Sequence, residues 1–397
     1  MSQIDIIAQL QSVRHIKIMA IRISLVYGAI FAVIGIIMPF WPIWLESRGI
    51  SPIEIGLILA VGTWSRAILN PLLAQNADRH GRPDIMIILL GWGALIAHLL
   101  FFVSDSFWSL FLISVCSSIL LFAMMPIADA ITMLKVREGI VDYGRVRLWG
   151  SLTFIVAALG GGYFLEGKSE NHILWLIVGL LLLTVVICHL VPRTDTAGTK
   201  KFLTPLLNII RNSRLITFII SASLIQASHA VYYGFSTLHW RANGIDELTI
   251  GALWAEGVIA EIILFAIAGK YINRIGPMVF LMIGGTAAII RWIVLGFTTD
   301  VTHLILIQWF HAFTFGATHL AALYYIAKSV PVEFTATAQS LYSSFAVGST
   351  MAFAMLGSGW LYENFGGVAF FSMAGMAFLG ILVLPIVNLL SAGRTRP

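Results

Sequence analysis

The chain has 397 residues, 59% of them hydrophobic and 11% charged, and its mean hydropathy is +0.91. A soluble domain carries about 25% charged residues, and no water-soluble fold could hide this much apolar surface. The net charge of +5 would suit a nucleic-acid partner, but the basic residues are distributed in a way that excludes one.

The first 19 residues, MSQIDIIAQLQSVRHIKIM, contain no short apolar core followed by a cleavage site, so they are expected to be retained. Apolar runs follow at 20–45, 53–75, 84–103, 107–132, 146–165 and 172–191. A polar stretch over 192–212 interrupts them, and further runs occupy 214–239, 248–271, 277–298, 302–327, 337–361 and 367–390. Each run is near the ~20 residues that a helix needs to cross a bilayer. They are too long for membrane strands and lack the alternation such strands require. The reading is an all-α membrane protein of twelve transmembrane helices: an N-terminal six-helix bundle over 1–191, a linker over 192–212 and a C-terminal bundle over 213–397. Cys116 and Cys188 both fall inside apolar runs, where they are expected to pack as small hydrophobes.

Lysine and arginine set the orientation. Of the 24 such residues, only Arg48, Lys168 and Arg241 fall in the loops of one side, and Arg66 and Arg291 lie within spans. The others cluster on the opposite side, which is therefore cytoplasmic together with both termini. The basic balance is a topogenic signal for a bacterial inner-membrane protein and not a nucleic-acid footprint.

The loop after the second run reads NADRHGRPD, and the loop after the eighth reads YINRIGPM. Their arginines, Arg79 and Arg274, stand half a chain apart, as expected of two repeated halves related by an axis along the membrane normal. The first loop, with Asp78, Arg79, Gly81 and Arg82, resembles the D-R-x-G-R signature of the major facilitator superfamily. It departs in having Ala74 where a glycine is usual and Pro83 after the last arginine. Gly81 permits a tight turn. Asp78 and the arginines can pair across neighbouring helix ends as a conformational switch, although a simple positive-inside anchor also accounts for the arginines.

The stretches PFWPIWLESRGISPIEIGL (39–57), DYGRVRLWGS (142–151), QASHAVYYGFSTLHWRANG (226–244), LWAEGVIAEIILFA (253–266) and IIRWIVLG (289–296) are similar to the 3-phenylpropionate permease group. That group is related to the lactose and nucleoside proton symporters. The resemblance implies two pseudo-symmetric bundles around a midplane cavity, working by alternating access.

Ionisable residues within spans carry the functional argument, because each costs about 2.5–3.5 kcal/mol to insert and so pairs or faces water. Asp129 and Arg147 flank one short connection and can meet as an ion pair. By resemblance to the lactose symporters, Arg147 would face the substrate with Asp129 as its partner, although a structural pair or a snorkelling Arg147 fits equally. Glu261 and Arg291 form the other expected pair. A carboxylate that loses its arginine takes up a proton more readily, which is what coupling requires, and a matching glutamate and arginine recur in related permeases. His311 resembles a histidine of the lactose symporters, but Thr314 stands where they have an acid and Gln308 where they have a lysine. The lactose-type relay therefore does not carry over whole, and His311 is expected either to join Glu261 and Arg291 in proton coupling or, equally, to be a hydrogen-bonded core histidine. Gln226 and His229, three apart, share a helix face with Tyr232 and Tyr233 close behind. Trp41 and Trp44 read as a headgroup belt.

The expected function is proton symport, by uptake, of a small organic acid such as 3-phenylpropionate. Arg147 and Arg291 are the available cations, and substrate contacts are expected from Asp129, Arg147, Gln226, His229 and Tyr233. The alternatives are a nucleoside or oligosaccharide symporter, which needs neutral hydrogen-bonding groups, and a ligand sensor that does not transport. Partners are the solute, protons and the lipid bilayer, with the chain a monomer. No metal-ligand spacing, nucleotide loop or nucleophile–base pair is present, so neither a metal, a cofactor nor an enzyme is expected.

Overall fold

The computed structural model describes residues 3–193, 211–331 and 334–392, so most of the 192–212 linker lies outside the described residues. Every described element is helical. In chain order they are α1 (Gln3–Ser47), α2 (Pro52–His80), α3 (Pro83–Leu100), α4 (Phe107–Arg137), α5 (Tyr143–Leu165) and α6 (Asn171–Cys188). Then come α7 (Ser213–Ala242), α8 (Glu247–Ile275), α9 (Pro277–Phe297), α10 (Val301–Ser329), α11 (335–365) and α12 (Ala369–Ala392). Eleven continuous helical stretches are long and apolar enough to cross a membrane. The last of these runs 51 residues, from Thr337 to Val387, well beyond one crossing. It breaks at Gly366, whose φ of 56° belongs to the left-handed region, so it holds both α11 and α12.

Several helix starts are written locally. Ser106, Asn212, Asp246 and Asp300 cap α4, α7, α8 and α10 by accepting a backbone N–H with their side chains. The two repeated loops fold alike. Gly81 (φ 67°) and Gly276 (φ 85°) each take a positive φ, and a proline, Pro83 or Pro277, then opens the next helix, where its missing N–H costs nothing.

The surface carries many exposed large apolar side chains, among them Ile68, Leu89, Val156, Leu182, Phe297 and Phe353, as suits helices whose backbone polar groups are satisfied within and whose outside meets lipid. Cys188 is buried as expected, whereas Cys116 lies on this exposed surface. Trp41 and Trp44 correct the headgroup-belt expectation: they stack on each other at 4.6 Å and are buried.

The described residues pack as two compact units, one of residues 3–38, 69–161 and 168–193, the other of 39–68, 162–167, 211–331 and 334–392. In the first, α1 and α5 approach closely through small residues, the usual route to tight helix contact in lipid. A β-carbon at Gly35 would stand 2.8 Å from the Phe154 carbonyl oxygen, and one at Gly150 would stand 2.8 Å from the Phe31 ring. In the second, Gly56 of α2 meets Gly359 of α11 in the same way. The start of α2 carries the reciprocal capping of Ser51 and Glu54, and Glu363 of α11 also accepts the Ile53 N–H at 3.0 Å. Residues 39–68 thus pack with the later part of the chain although they belong to the first apolar runs. Deeper in this unit, Ser221 donates to the Gly380 carbonyl at 2.6 Å and ties α7 to α12.

Gly35→Val is expected to lower the melting temperature of the detergent-solubilised protein, because overpacking a tight contact costs about 1–3 kcal/mol. Gly160→Ala, where nothing lies within 4 Å, should leave it unchanged.

Candidate functional site

The densest polar cluster among the described residues surrounds Arg291 in the second unit. Gly284, Gly285, Ala287 and Ala288 give α9 a thin buried face, and Arg291 stands one turn further along it, with no exposed surface. A guanidinium there needs acceptors, and α10 supplies three. Arg291 Nη2 donates to Gln308 Oε1 at 2.5 Å, and Nη1 approaches His311 Nδ1 at 3.0 Å and Thr314 Oγ1 at 3.1 Å. The residues reach one group because of the local winding of α10. Bonds from Phe310 N to Ile307 O, Ala312 N to Trp309 O and Phe313 N to Phe310 O tighten this stretch towards the 3₁₀ form, in which side chains three apart eclipse. A π-helical turn over Ala312–Ala317 overlaps its end and carries Thr314.

The helix α7 breaks within the sequence block QASH. Its regular turns end at Ala227 and resume at Ala230. Ser228 Oγ takes the freed Ile225 carbonyl at 2.6 Å and His229 Nδ1 the Gln226 carbonyl at 2.9 Å, so polar side chains stand in for the missing backbone bonds. His229 Nε2 then meets Thr314 Oγ1 at 3.0 Å, and Trp292 Nε1 donates to Ser228 Oγ at 2.9 Å. Gln308 Nε2 donates to Tyr232 Oη at 3.0 Å and to the Leu253 carbonyl at 3.2 Å, which fixes its amide with the oxygen towards Arg291. The guanidinium lies over the rings of Tyr232, 4.4 Å away, and Trp292, 4.9 Å away, the geometry of a cation on a π face. Trp254 packs on Tyr232 at 4.8 Å, and Tyr233 stacks on His229 at 5.4 Å. Gln226 Nε2 donates to the Phe315 carbonyl at 3.2 Å.

Hydrogen-bond direction orders this cluster. The guanidinium only donates, so His311 Nδ1 carries a lone pair and the imidazole hydrogen sits on Nε2. That nitrogen faces Glu261 Oε2 at 3.6 Å. His229 is the opposite tautomer, with Nδ1–H on a carbonyl and Nε2 accepting from Thr314. The expected Glu261–Arg291 ion pair is not formed, because His311 stands between the two. Among the described residues no carboxylate lies within ion-pair distance of Arg291, and its buried Nε has no acceptor. Glu256 turns elsewhere, towards Trp309.

In the first unit, Asp129 of α4 and Arg147 of α5 are likewise not an ion pair. Asp129 Oδ1 accepts the hydroxyls of Tyr27, at 2.6 Å, and Tyr143, at 3.2 Å. Tyr27 also reaches Thr132 at 3.1 Å. Arg147 lies flat over Phe31 at 4.1 Å. Two phenols answer the acid and an aromatic face answers the cation. In the last turn of α2, the side chain of Asp78 lies outside the described residues and Arg79 is exposed. Arg82 pairs with Asp84, through Nε to Oδ1 at 3.0 Å and Nη2 to Oδ2 at 2.8 Å, in the first turn of α3, where a carboxylate also suits the helix dipole. Tyr27, Phe31, Tyr143, Asp84, Trp254 and Trp292 complete these clusters and were not anticipated. Of these, Asp84, Tyr143, Trp254 and Trp292 had a signal, by lying in sequence blocks already singled out.

The model of the MFS_1 like family matches residues 20–373. A relative from Escherichia coli (strain K12), described as a probable 3-phenylpropionic acid transporter, is 32% identical over 92% of this chain and 97% of its own length. The maltose permease of Geobacillus stearothermophilus is 24% identical over 91% of this chain and 92% of its own. Among solved structures, the nucleoside transporter NupG superposes with a TM-score of 0.83 over 93% of this chain and 99% of that one, at 15% identity, a likeness of fold.

Thr314→Val removes one partner each from Arg291 and His229. It is expected to cost about 1–2 kcal/mol of stability, read as a lower melting temperature.

Proposed function

The chain belongs to the MFS_1 like family, and from that premise we propose that it imports a small aromatic carboxylate together with protons by alternating access. It is a multi-pass membrane transporter of the major facilitator fold and not an enzyme. The finer reading assigns it to the bacterial inner membrane, as a monomer with both termini cytoplasmic, on the charge asymmetry of its loops.

One observation carries the substrate class. Arg291 is fully buried, its hydrogen-bond partners Gln308, His311 and Thr314 are neutral, and its Nε–H has no acceptor. A buried charge is costly without an opposite one, and an anionic solute supplies it with a bidentate, charge-assisted geometry that neutral acceptors lack. The rings of Tyr232, Tyr233, Trp254 and Trp292 suit a phenyl group. The name of the Escherichia coli relative supports the same chemistry. In the second unit we assign Gln226, His229 and Tyr233 to the substrate. In the first we assign Arg147 with Asp129. Proton coupling is assigned to Glu261 through His311, and the loop of Asp78, Arg79, Gly81 and Arg82 to the conformational switch.

Proteoliposomes containing the purified protein are expected to accumulate labelled 3-phenylpropionate under an inward proton gradient. Nucleosides and disaccharides should not compete; competition by either would favour a symporter of neutral solutes. Arg291→Ala and Arg147→Ala should each reduce uptake by about tenfold or more, since truncating one side of a buried charge pair costs at least 2 kcal/mol. Unimpaired uptake by Arg291→Ala would overturn the reading. Glu261→Gln should lose gradient-driven accumulation while keeping exchange.

A further inference from the structure

We propose that Arg291 and a proton compete for His311 Nδ1, so that a bound carboxylate, by drawing the guanidinium to itself, opens His311 to protonation opposite Glu261. The inference rests on the reading of the substrate as a carboxylate, and it names the event that joins solute to proton.

The geometry makes the two occupants exclusive. Arg291 Nη1 stands 3.0 Å from His311 Nδ1, and a hydrogen on that nitrogen would face an N–H donor that has no lone pair to offer. While Arg291 holds this position the imidazole is neutral and its hydrogen is on Nε2. Its 3.6 Å separation from Glu261 Oε2 is too long for a hydrogen bond but close enough for an ion pair once the ring is charged. Three neutral acceptors hold the guanidinium, and a carboxylate offers it a stronger, forked partner.

The surrounding groups leave His311 as the site. From α7, His229 and Tyr232 face it at ring separations of 5.8 and 6.3 Å. His229 has one nitrogen on the Gln226 carbonyl and the other on Thr314, and the Tyr232 hydroxyl accepts from Gln308. From α8, Glu261 faces it, and Gly257 packs against the ring without a charge. Arg291 is the facing group of α9, and on α10 itself Phe315 stacks on the ring at 5.5 Å. His311 Nδ1 is thus the imidazole nitrogen whose partner an incoming carboxylate can remove.

Charge balance gives the rule its sign. The empty site holds the Arg291 cation and the Glu261 anion. The loaded site holds these with one carboxylate and one imidazolium, so the net charge is unchanged. Either ligand alone would leave an unbalanced charge in a medium where that is expensive. One proton enters on His311 Nδ1 for each carboxylate bound, no covalent bond of the solute changes, and both leave together.

The test is calorimetric titration of the purified full-length protein with 3-phenylpropionate, in buffers of different ionisation heat and at several pH values. The expected result is uptake approaching one proton per carboxylate, with apparent affinity falling by up to about tenfold per pH unit as pH rises, by linkage. His311→Gln, which keeps an acceptor for Arg291, should bind with no proton uptake and a flat pH profile. The neutral 3-phenylpropionamide should cause no proton uptake in the unmodified protein. Binding of the carboxylate to the unmodified protein without proton uptake overturns the inference and leaves the substrate reading standing, and it needs no variant to be seen. Proton uptake that persists in His311→Gln, or that accompanies the amide, also overturns it. Absence of 3-phenylpropionate binding overturns the substrate reading itself, and this inference with it.

Discussion

A guanidinium cannot shed its charge inside a protein, so burying Arg291 obliges the helices around it to deliver acceptors and ring faces. The local irregularities of α7 and α10 serve that demand. The irregular winding of α10 over 307–317 brings Gln308, His311 and Thr314 to one cation. The break in α7 brings His229 to Thr314 and leaves Tyr232 beneath the guanidinium. Neither distortion is forced by proline, and in α7 the Ser228 hydroxyl takes up the Ile225 carbonyl that the backbone releases. The guanidinium is held by neutral hydrogen-bond acceptors and touches no carboxylate among the described residues, so a forked anionic partner would bind it more strongly than they do.

The first unit solves a similar problem with different means. Asp129 and Arg147 each find an aromatic partner, through hydroxyl groups in one case and a ring face in the other. The two charges are joined through Tyr27, whose hydroxyl serves Asp129 and whose ring also lies under Arg147 at 5.7 Å, without a direct ion pair. A direct ion pair would have to be broken before another group could engage either charge, at the cost of a buried charge left alone.

The large features were legible in the sequence. Apolar runs of the right length became helices because lipid leaves the backbone no other way to satisfy itself, and the glycine–proline loops folded alike because φ > 0 and a missing N–H have the same requirements in each. The pairings were less legible. The spacing of Asp129 and Arg147 shows that they can meet, but says nothing of Tyr27, which comes from a distant helix and carries no charge to flag it. Glu261 and Arg291 were matched by charge alone, whereas the winding of α10 that inserts His311 between them leaves no mark in the apolar pattern. Trp41 and Trp44 had the composition of an interfacial belt and were instead buried by packing. Asp84 sat in plain view within NADRHGRPD, overlooked because the acid at the other end of the loop fitted a familiar signature.

The tightened stretch of α10 and the slack π turn that overlaps its end twist the helix in opposite directions. Regular α-helix resumes at Thr318, and Tyr325 stacks on Phe218 at 3.8 Å. The re-aiming is confined to a middle segment, so the same helix presents one set of side chains to the cation and keeps an ordinary packing face at its far end. A second irregular turn, over Ser344–Thr350 of α11, gives that neighbour the same freedom to alter one level of its surface without disturbing the others.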